Sequence, residues 1–310
     1  MKELLADFAI AADIESLDSL ESALGAFKAL KDVKANGPIE IGFLTKTIKP
    51  AGLAVGERLA GKKKIRAAWL KRLATDEKAA VRCLACLVLG EIGKADPDSI
   101  VATAHKLAAD DRWEVRECLA DAFDDQIGLA HPEFVYDLMA KWVADPSPNV
   151  RRAPTNALMR YGIKQPRKVI ALMDKLRHDD SEYVRKNVRF CLQQIAKQKH
   201  PRLGVGNSNN PEVMLATLKE WSKDRHPHNR WIVAGTLGNV WAKGHIPQAL
   251  AILKTLAADE DKLVRSVAAA ALRDLAKYDA QVITATAQGW ANDGDKNVRQ
   301  TGALALKKLS

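Results

Sequence analysis

The sequence predicts an all-α protein, an α-solenoid of about seven helical hairpins with a concave basic groove. Three observations carry this expectation. Aromatic residues are only 5% of the 310-residue chain while Ala and Leu recur, and no run of alternating β-branched residues appears, so helices are favoured over strands. A hydrophobic content of 47% is ample for a buried core. One phrase, an Asp, five residues and then an Arg, usually preceded by Val, returns seven times: DEKAAVR (76–82), DDRWEVR (110–116), DPSPNVR (145–151), DDSEYVR (179–185), DRHPHNR (224–230), DEDKLVR (259–265) and DGDKNVR (293–299). Its arginines are 34, 35, 34, 45, 35 and 34 residues apart, a near-constant period that marks a repeat array.

Residues 1–60 lack the phrase and are expected to form an N-terminal helical cap followed by a loop-rich lead-in. The first twenty residues are acidic and amphipathic, without the features of a signal peptide. From Asn36 to Gly61 the chain carries Pro38, Pro50 and several glycines, which read as loop. Residues 61–310 are read as the solenoid. In its third period HPEFVYDLMAKWVA is followed by the turn phrase and then NVRRAPTNALMRYG, two amphipathic segments that form a hairpin and bury their faces by stacking on their neighbours. Pro154 lies inside the second segment, where it removes a backbone hydrogen bond and predicts a kink. The 45-residue gap holds KHPRLGVGNSNNP (199–211), expected to be a long loop inserted between the fourth and fifth repeats, bordering the working face.

A net charge of +10 and a pI near 9.4 point to a polyanionic partner, because clustered Lys and Arg displace the counterions condensed on nucleic acid. Cys83, Cys86, Cys118 and Cys191 each fall within an apolar helical pattern, which fits a reduced, cytoplasmic compartment. The CxxC of Cys83 and Cys86 has neither a second pair nor a His at ligand spacing, so it reads as buried small apolar residues. No metal and no cofactor are expected. No apolar run reaches the length of a membrane span, so a membrane partner is not expected, and the chain is read as a monomer.

The turn Asp followed by Val-Arg resembles the HEAT repeat, with units shorter than the usual period of about 40 to 47 residues. That resemblance implies an Asp–Arg ladder between neighbouring units, which makes Arg82, Arg116, Arg151, Arg185, Arg230, Arg265 and Arg299 structural. It also implies that the second helix of each hairpin lines the inside of the curve. Two positions one helical turn apart then share a face in every repeat, the residue after the ladder Arg and the residue five after it. They read Cys83 with Leu87, Glu117 with Asp121, Arg152 with Asn156, Lys186 with Phe190, Trp231 with Gly235, Ser266 with Ala270, and Gln300 with Leu304. The end repeats are small or apolar there, whereas the central ones carry charges, an amide and aromatics. Trp113, three before the ladder Arg of the second repeat, joins them. Large aromatics facing out of a stack are costly to expose without a use. The expectation is therefore a central groove floored by Trp113, Glu117, Arg152, Lys186, Phe190 and Trp231, with Asp121, Asn156 and Arg189 beside it. Asp124 and Asp125 are expected past the bend of their hairpin. His226 and His228, two residues apart, point in different directions on a helix, which suits capping or phosphate contact better than metal binding.

The segments RWEVRE, SPNVRRAP and SEYVRKNVRFCLQQIAKQKHP, in that order, are similar to the HEAT-like bacterial alkylpurine DNA glycosylases of the AlkD and AlkC type. The resemblance covers roughly residues 65–245. It implies double-stranded DNA as partner and hydrolysis of the N-glycosidic bond of N3- or N7-methylated purines. It places the family's first Trp on Trp113, its catalytic Asp on Glu117, its Arg on Arg152 and its second Trp on Phe190, while Arg112 stands at the AlkC-type carboxylate position. Glu117, Trp113 and Arg152 are the catalytic candidates this implies. Phe190, Lys186, Arg189, Trp231, Asn156 and Asp121 are the substrate- and DNA-binding ones. Two alternatives stay open: a non-catalytic HEAT scaffold that binds DNA or protein through the same groove, and a repeat protein of the kind that acts on a chromophore.

Overall fold

The computed structural model describes residues 8, 17–30, 33, 37–199, 204, 206–307 and 309. Apart from Phe8, the first sixteen residues of the expected cap lie outside the described residues. The chain divides into two compact units, Met1–Leu158 and Met159–Ser310. Both are stacks of antiparallel helices, and among the described residues the only β-type pairing is an isolated bridge between Lys199 and Gly206. The fold is an all-α solenoid of the HEAT class. No helix among the described residues is long and apolar enough to cross a membrane.

The first unit contains α1 (Leu17–Lys28), α2 (Lys49–Ala60), α3 (Lys63–Ala74), α4 (Ala79–Ala95), α5 (Val101–Ala108), α6 (Trp113–Asp121), α7 (Pro132–Trp142), α8 (Pro148–Arg152) and α9 (Pro154–Ala157). The second contains α10 (Met159–Lys164), α11 (Pro166–Leu176), α12 (Glu182–Ile195), α13 (Asn210–Trp221), α14 (Pro227–Leu237), α15 (Ile246–Ala257), α16 (Lys262–Leu275), α17 (Ala280–Ala291) and α18 (Lys296–Leu306). Helix α12 shows why the pattern folds this way. Val184, Val188, Cys191, Leu192 and Ile195 recur at helical spacing and are all fully buried, while Glu182, Lys186 and Phe190 between them face solvent.

The turn phrase builds the same latch in every repeat. The Asp carboxylate accepts the backbone N–H two residues on, from Lys78, Arg112, Ser147, Ser181, His226, Asp261 and Asp295. The Asp carbonyl accepts from the guanidinium of the phrase's own Arg, as Asp76 does from Arg82 at 2.9 Å and Asp293 from Arg299 at 2.7 Å. The expected ladder to the next repeat is thus secondary to a bond within the turn. It extends across repeats from Arg82 to Asp110 at 2.6 Å and from Arg230 to Asp259 at 2.5 Å. The Val before the Arg is core: Val81, Val115, Val150, Val184 and Val264 are fully buried and Val298 nearly so.

Three local expectations are corrected. Much of the lead-in is helix, since Ile41–Phe43, a π-helical turn Leu44–Ile48 and α2 run on one from another. Pro50 lies at the start of α2 just past the π-helical turn, so its missing N–H falls at the junction of the two segments. Gly52 and Gly56 bring α2 against α4: a Cβ on Gly52 would lie 2.5 Å from Leu87 Cβ, and one on Gly56 2.6 Å from Glu91 Cβ. Glycines read as loop signals are contact points, and α2 covers the first repeat's Leu87. The inserted loop also ends earlier than expected, because Asn210 and Pro211 open α13. Asn210 is buried and donates to the Ile163 carbonyl at 3.0 Å and the Ile195 carbonyl at 2.8 Å, which pins the helix start. Within that loop, residues 200–203 and 205 lie outside the described residues. Finally, there is no bend after α6, which runs on as a π-helical segment Ala122–Ile127 that carries Asp124 and Asp125.

Pro154 does more than kink. The second helix of the third repeat is interrupted at Ala153 and again at Leu158, whose φ is −113°. With no N–H at residue 154, the Val150 carbonyl accepts from Ala153 at 3.0 Å in a tighter turn, and the Arg152 carbonyl accepts the Thr155 hydroxyl at 2.7 Å.

Candidate functional site

In the first unit the broken helix turns two donors onto one carboxylate. Arg152 Nη2 donates to Glu117 Oε1 at 2.6 Å, and Asn156 Nδ2 donates to Glu117 Oε2 at 2.7 Å. Asn156 is buried, whereas the Glu117 side chain keeps 33% of its surface open and Arg152 12%. One turn earlier on α6, Trp113 leaves 53% of its surface in solvent, the most exposed of the large aromatics. Arg152, a catalytic candidate by the resemblance, is engaged with Glu117. Four residues later, Asp121 stands at the open surface yet is crowded by protein. Burial pushes its carboxyl up to about 6, with Asp125 and Glu117 adding to the rise and Lys49 opposing it.

Lys49 is the residue that sequence reasoning missed. It opens α2, lies 3.8 Å from Asp125, and brings a cation to the acidic end of the site from a segment read as loop. Nothing in the repeat register pointed to it, because it precedes the first phrase. Arg112 turns the other way, donating to Glu114 at 2.8 Å and to the Gly37 carbonyl at 2.9 Å. Burial would raise the Glu114 carboxyl, but hydrogen bonds from Arg112 and the Ile39 N–H hold it below the usual carboxylate range. This pair anchors the chain around residues 37–39 to the start of α6.

The second unit holds the remaining candidates. Trp231 was expected to face out of the stack, but it is half-buried. The Arg189 guanidinium lies over its ring at 5.0 Å, and His228 stacks on it at 5.4 Å with planes 24° apart. Gly235, its register partner, makes room for this, since a Cβ there would lie 2.6 Å from Arg189 Cδ. Phe190 stays 42% exposed beside Lys186, which pairs with Glu182 at 2.8 Å. All four cysteines are buried free thiols. For Cys86 and Cys118 the protein surroundings push the thiol well above its ordinary range, through burial at Cys86 and the Cys83 hydrogen bond together with burial at Cys118.

Comparison with known proteins places these features in a family. The sequence pattern of the family described as DNA alkylation repair enzyme matches residues 40–205, more than half of the chain. The chain belongs to that family. HEAT repeats match residues 203–273. Among solved structures, AlkD2 from Streptococcus mutans is 18% identical with a TM-score of 0.50, over 68% of this chain and 98% of that one. The protein smu.31 from Streptococcus mutans UA159 is 21% identical with a TM-score of 0.46, over 62% and 94%. At these identities the likeness is one of fold. No curated protein matches the chain. As a family member, the protein acts in the repair of alkylated DNA, and DNA is its partner. The family match spans Trp113, Glu117, Arg152 and Phe190 and stops short of Trp231.

Proposed function

We propose that the protein is a DNA glycosylase that hydrolyses the N-glycosidic bond of N3- or N7-alkylated purines in duplex DNA, with Glu117 as the carboxylate that serves the reaction. The observation that carries this is a carboxylate with both oxygens held by fixed donors, one helical turn from an exposed Trp. An N3- or N7-alkylated purine is already cationic and leaves without a strong acid. The barrier lies in positive charge that develops on the deoxyribose. Glu117, oriented by Arg152 and Asn156 before substrate arrives, stabilises that charge without reorganising. Water bonds to C1′ and the C1′–N bond breaks. The bond's electron pair neutralises the departing purine, and the water's proton passes to solvent. The Trp113 face attracts the cationic base. Phe190, Lys186, Arg189 and Trp231 are assigned to DNA contact.

One observation favours a non-catalytic reader: Arg152 already neutralises Glu117. A single assay separates the two readings, release of 3-methyladenine or 7-methylguanine from methylated duplex DNA by wild type, Glu117→Gln and Arg152→Ala. The glycosylase reading expects release by wild type and its loss in Glu117→Gln. Duplex binding without release above background makes the protein a reader, and full activity in Glu117→Gln removes Glu117 from the chemistry.

A further inference from the structure

The fifth turn phrase, DRHPHNR, breaks the rule its six siblings obey. Where the others bury a Val before the Arg, it buries Asn229, only 2% exposed. An amide in a Val position is destabilising unless it is fully bonded. Asn229 Nδ2 donates to His178 Nδ1 at 3.2 Å, and the same side chain bonds Asp224, while its Oδ1 is buried without a partner. The phrase alone sets Arg225, His226 and His228 between its Asp and Arg. A cleft of about 430 Å³ opens beside it, lined among others by His178, Arg185, His226, His228 and Asn229.

Most of the acids around the cleft are already engaged, and one guanidinium edge is not. Arg82 and Arg230 spend the Nε–Nη2 edge of the guanidinium on the next repeat's Asp. Arg185 spends Nη1 on the Asp179 and Asp180 carbonyls, and the Asp it would reach by analogy, Asp224, is taken by Arg177 at 2.5 Å. The Asp179 carboxylate is bonded by the Ser181 N–H, and Asp224 by the His226 N–H as well. Glu182 is paired with Lys186, so Asp180 is the exposed acid at the rim. His228, stacked on Trp231, has Nε2 buried without a partner. Burial and then the nearby Arg185 hold its imidazole below the usual range, with Glu182 opposing and Lys186 adding least. A phosphate would give the Nε–Nη2 edge of Arg185 the acceptor that the next repeat's Asp gives Arg82 and Arg230.

We propose that this cleft is a phosphate-binding site, in which Arg185, His226 and His228 meet the anion and Asn229 positions His178. The site rests on the family's DNA binding and not on the glycosylase chemistry, and its ligand is either a backbone phosphate or free phosphate. Binding to undamaged duplex DNA and titration with inorganic phosphate distinguish the two. For a backbone phosphate, the His226→Ala/His228→Ala double variant loses about five- to tenfold in duplex affinity near 0.1 M salt, and its salt slope falls by about one. Asn229→Val, which restores the sibling residue, keeps or raises the melting temperature yet binds about threefold more weakly. Asp180→Asn binds about twofold more tightly. In either case the His228 ring protons, followed by NMR, shift saturably with the ligand and their titration midpoint rises. A response to inorganic phosphate with unaltered duplex affinity in the variants upholds the site and assigns it free phosphate. The proposal is overturned if His228 responds to neither ligand, or if the double variant and Asn229→Val bind duplex and phosphate as wild type does. Because no damaged base is used, these results stand apart from the outcome of the base-release assay.

Discussion

The second helices of the sixth and seventh repeats and those of the second and third occupy the same place in the repeat but differ in regularity. Helices α16 and α18 are unbroken over 14 and 11 residues, and each is capped by an Asp side chain, Asp261 and Asp295. Their register positions hold Ser266, Ala270, Gln300 and Leu304. In the second and third repeats the same positions hold Glu117, Asp121, Arg152 and Asn156. There α6 passes into a π-helical segment, and its counterpart is broken into α8 and α9. Neither α6 nor α8 has a side-chain cap. Regular hydrogen bonding is given up where polar groups converge, as strained backbone at working sites leads one to expect.

The two pairs of repeats are expected to respond differently to substitution. The largest effect is expected from Glu117→Gln, which lowers base release by about 10²- to 10³-fold with an unchanged circular dichroism spectrum; an equal loss in Ala270→Gln, at the matching position of a regular repeat, would erase the distinction. Next, Gly52→Ala tests whether the first repeat's register face is truly covered. Its Cβ collides with Leu87, and overpacking of this kind costs about 1–3 kcal/mol in urea unfolding. Arg152→Ala removes one of the two donors to a partly exposed carboxylate, for a smaller loss of about 1 kcal/mol. Its measure is a double-mutant cycle with Glu117→Gln, in which the two losses should not add.

The smallest effect is a pH dependence. Asp121 binds its proton more tightly folded than unfolded, since its carboxyl is raised from 3.8 to about 6. Its ionisation therefore weakens the fold increasingly between pH 4 and 6, and by a constant amount above that. Asp121→Asn should melt higher than wild type at pH 8 by a margin that shrinks as pH falls through 6 and is lost below 4. A margin independent of pH would mean that neither burial nor the neighbouring Asp125 and Glu117 charges raise the Asp121 carboxyl.

Most of the fold was legible because its signal is periodic. Seven Asp–Arg phrases report a turn chemistry that depends on neighbours two and six residues away, and such local bonds are readable in one dimension. The Trp113–Glu117 spacing was legible for the same reason, as one turn of one helix. What escaped depends on packing between distant segments. Lys49 reaches Asp125 across 76 positions, and Gly52 and Gly56, indistinguishable in sequence from loop glycines, mark where α2 meets α4. Trp231 looked free for lack of any sign that Arg189 and His228 would bracket it.

The repeat, the all-α class and the register that includes Glu117, Arg152 and Asn156 are written in the chain itself, whereas the latch within each turn, read there as a ladder between repeats, emerged with the fold. The sequence also showed that Pro154 must disturb its helix. Where the two side chains of that broken helix go was settled by packing, since Arg152 and Asn156 donate to the two oxygens of Glu117. The reason is physical. A missing N–H is a property of one residue, whereas the direction a freed side chain takes depends on which charge, 35 or 39 positions away, the packed neighbour presents.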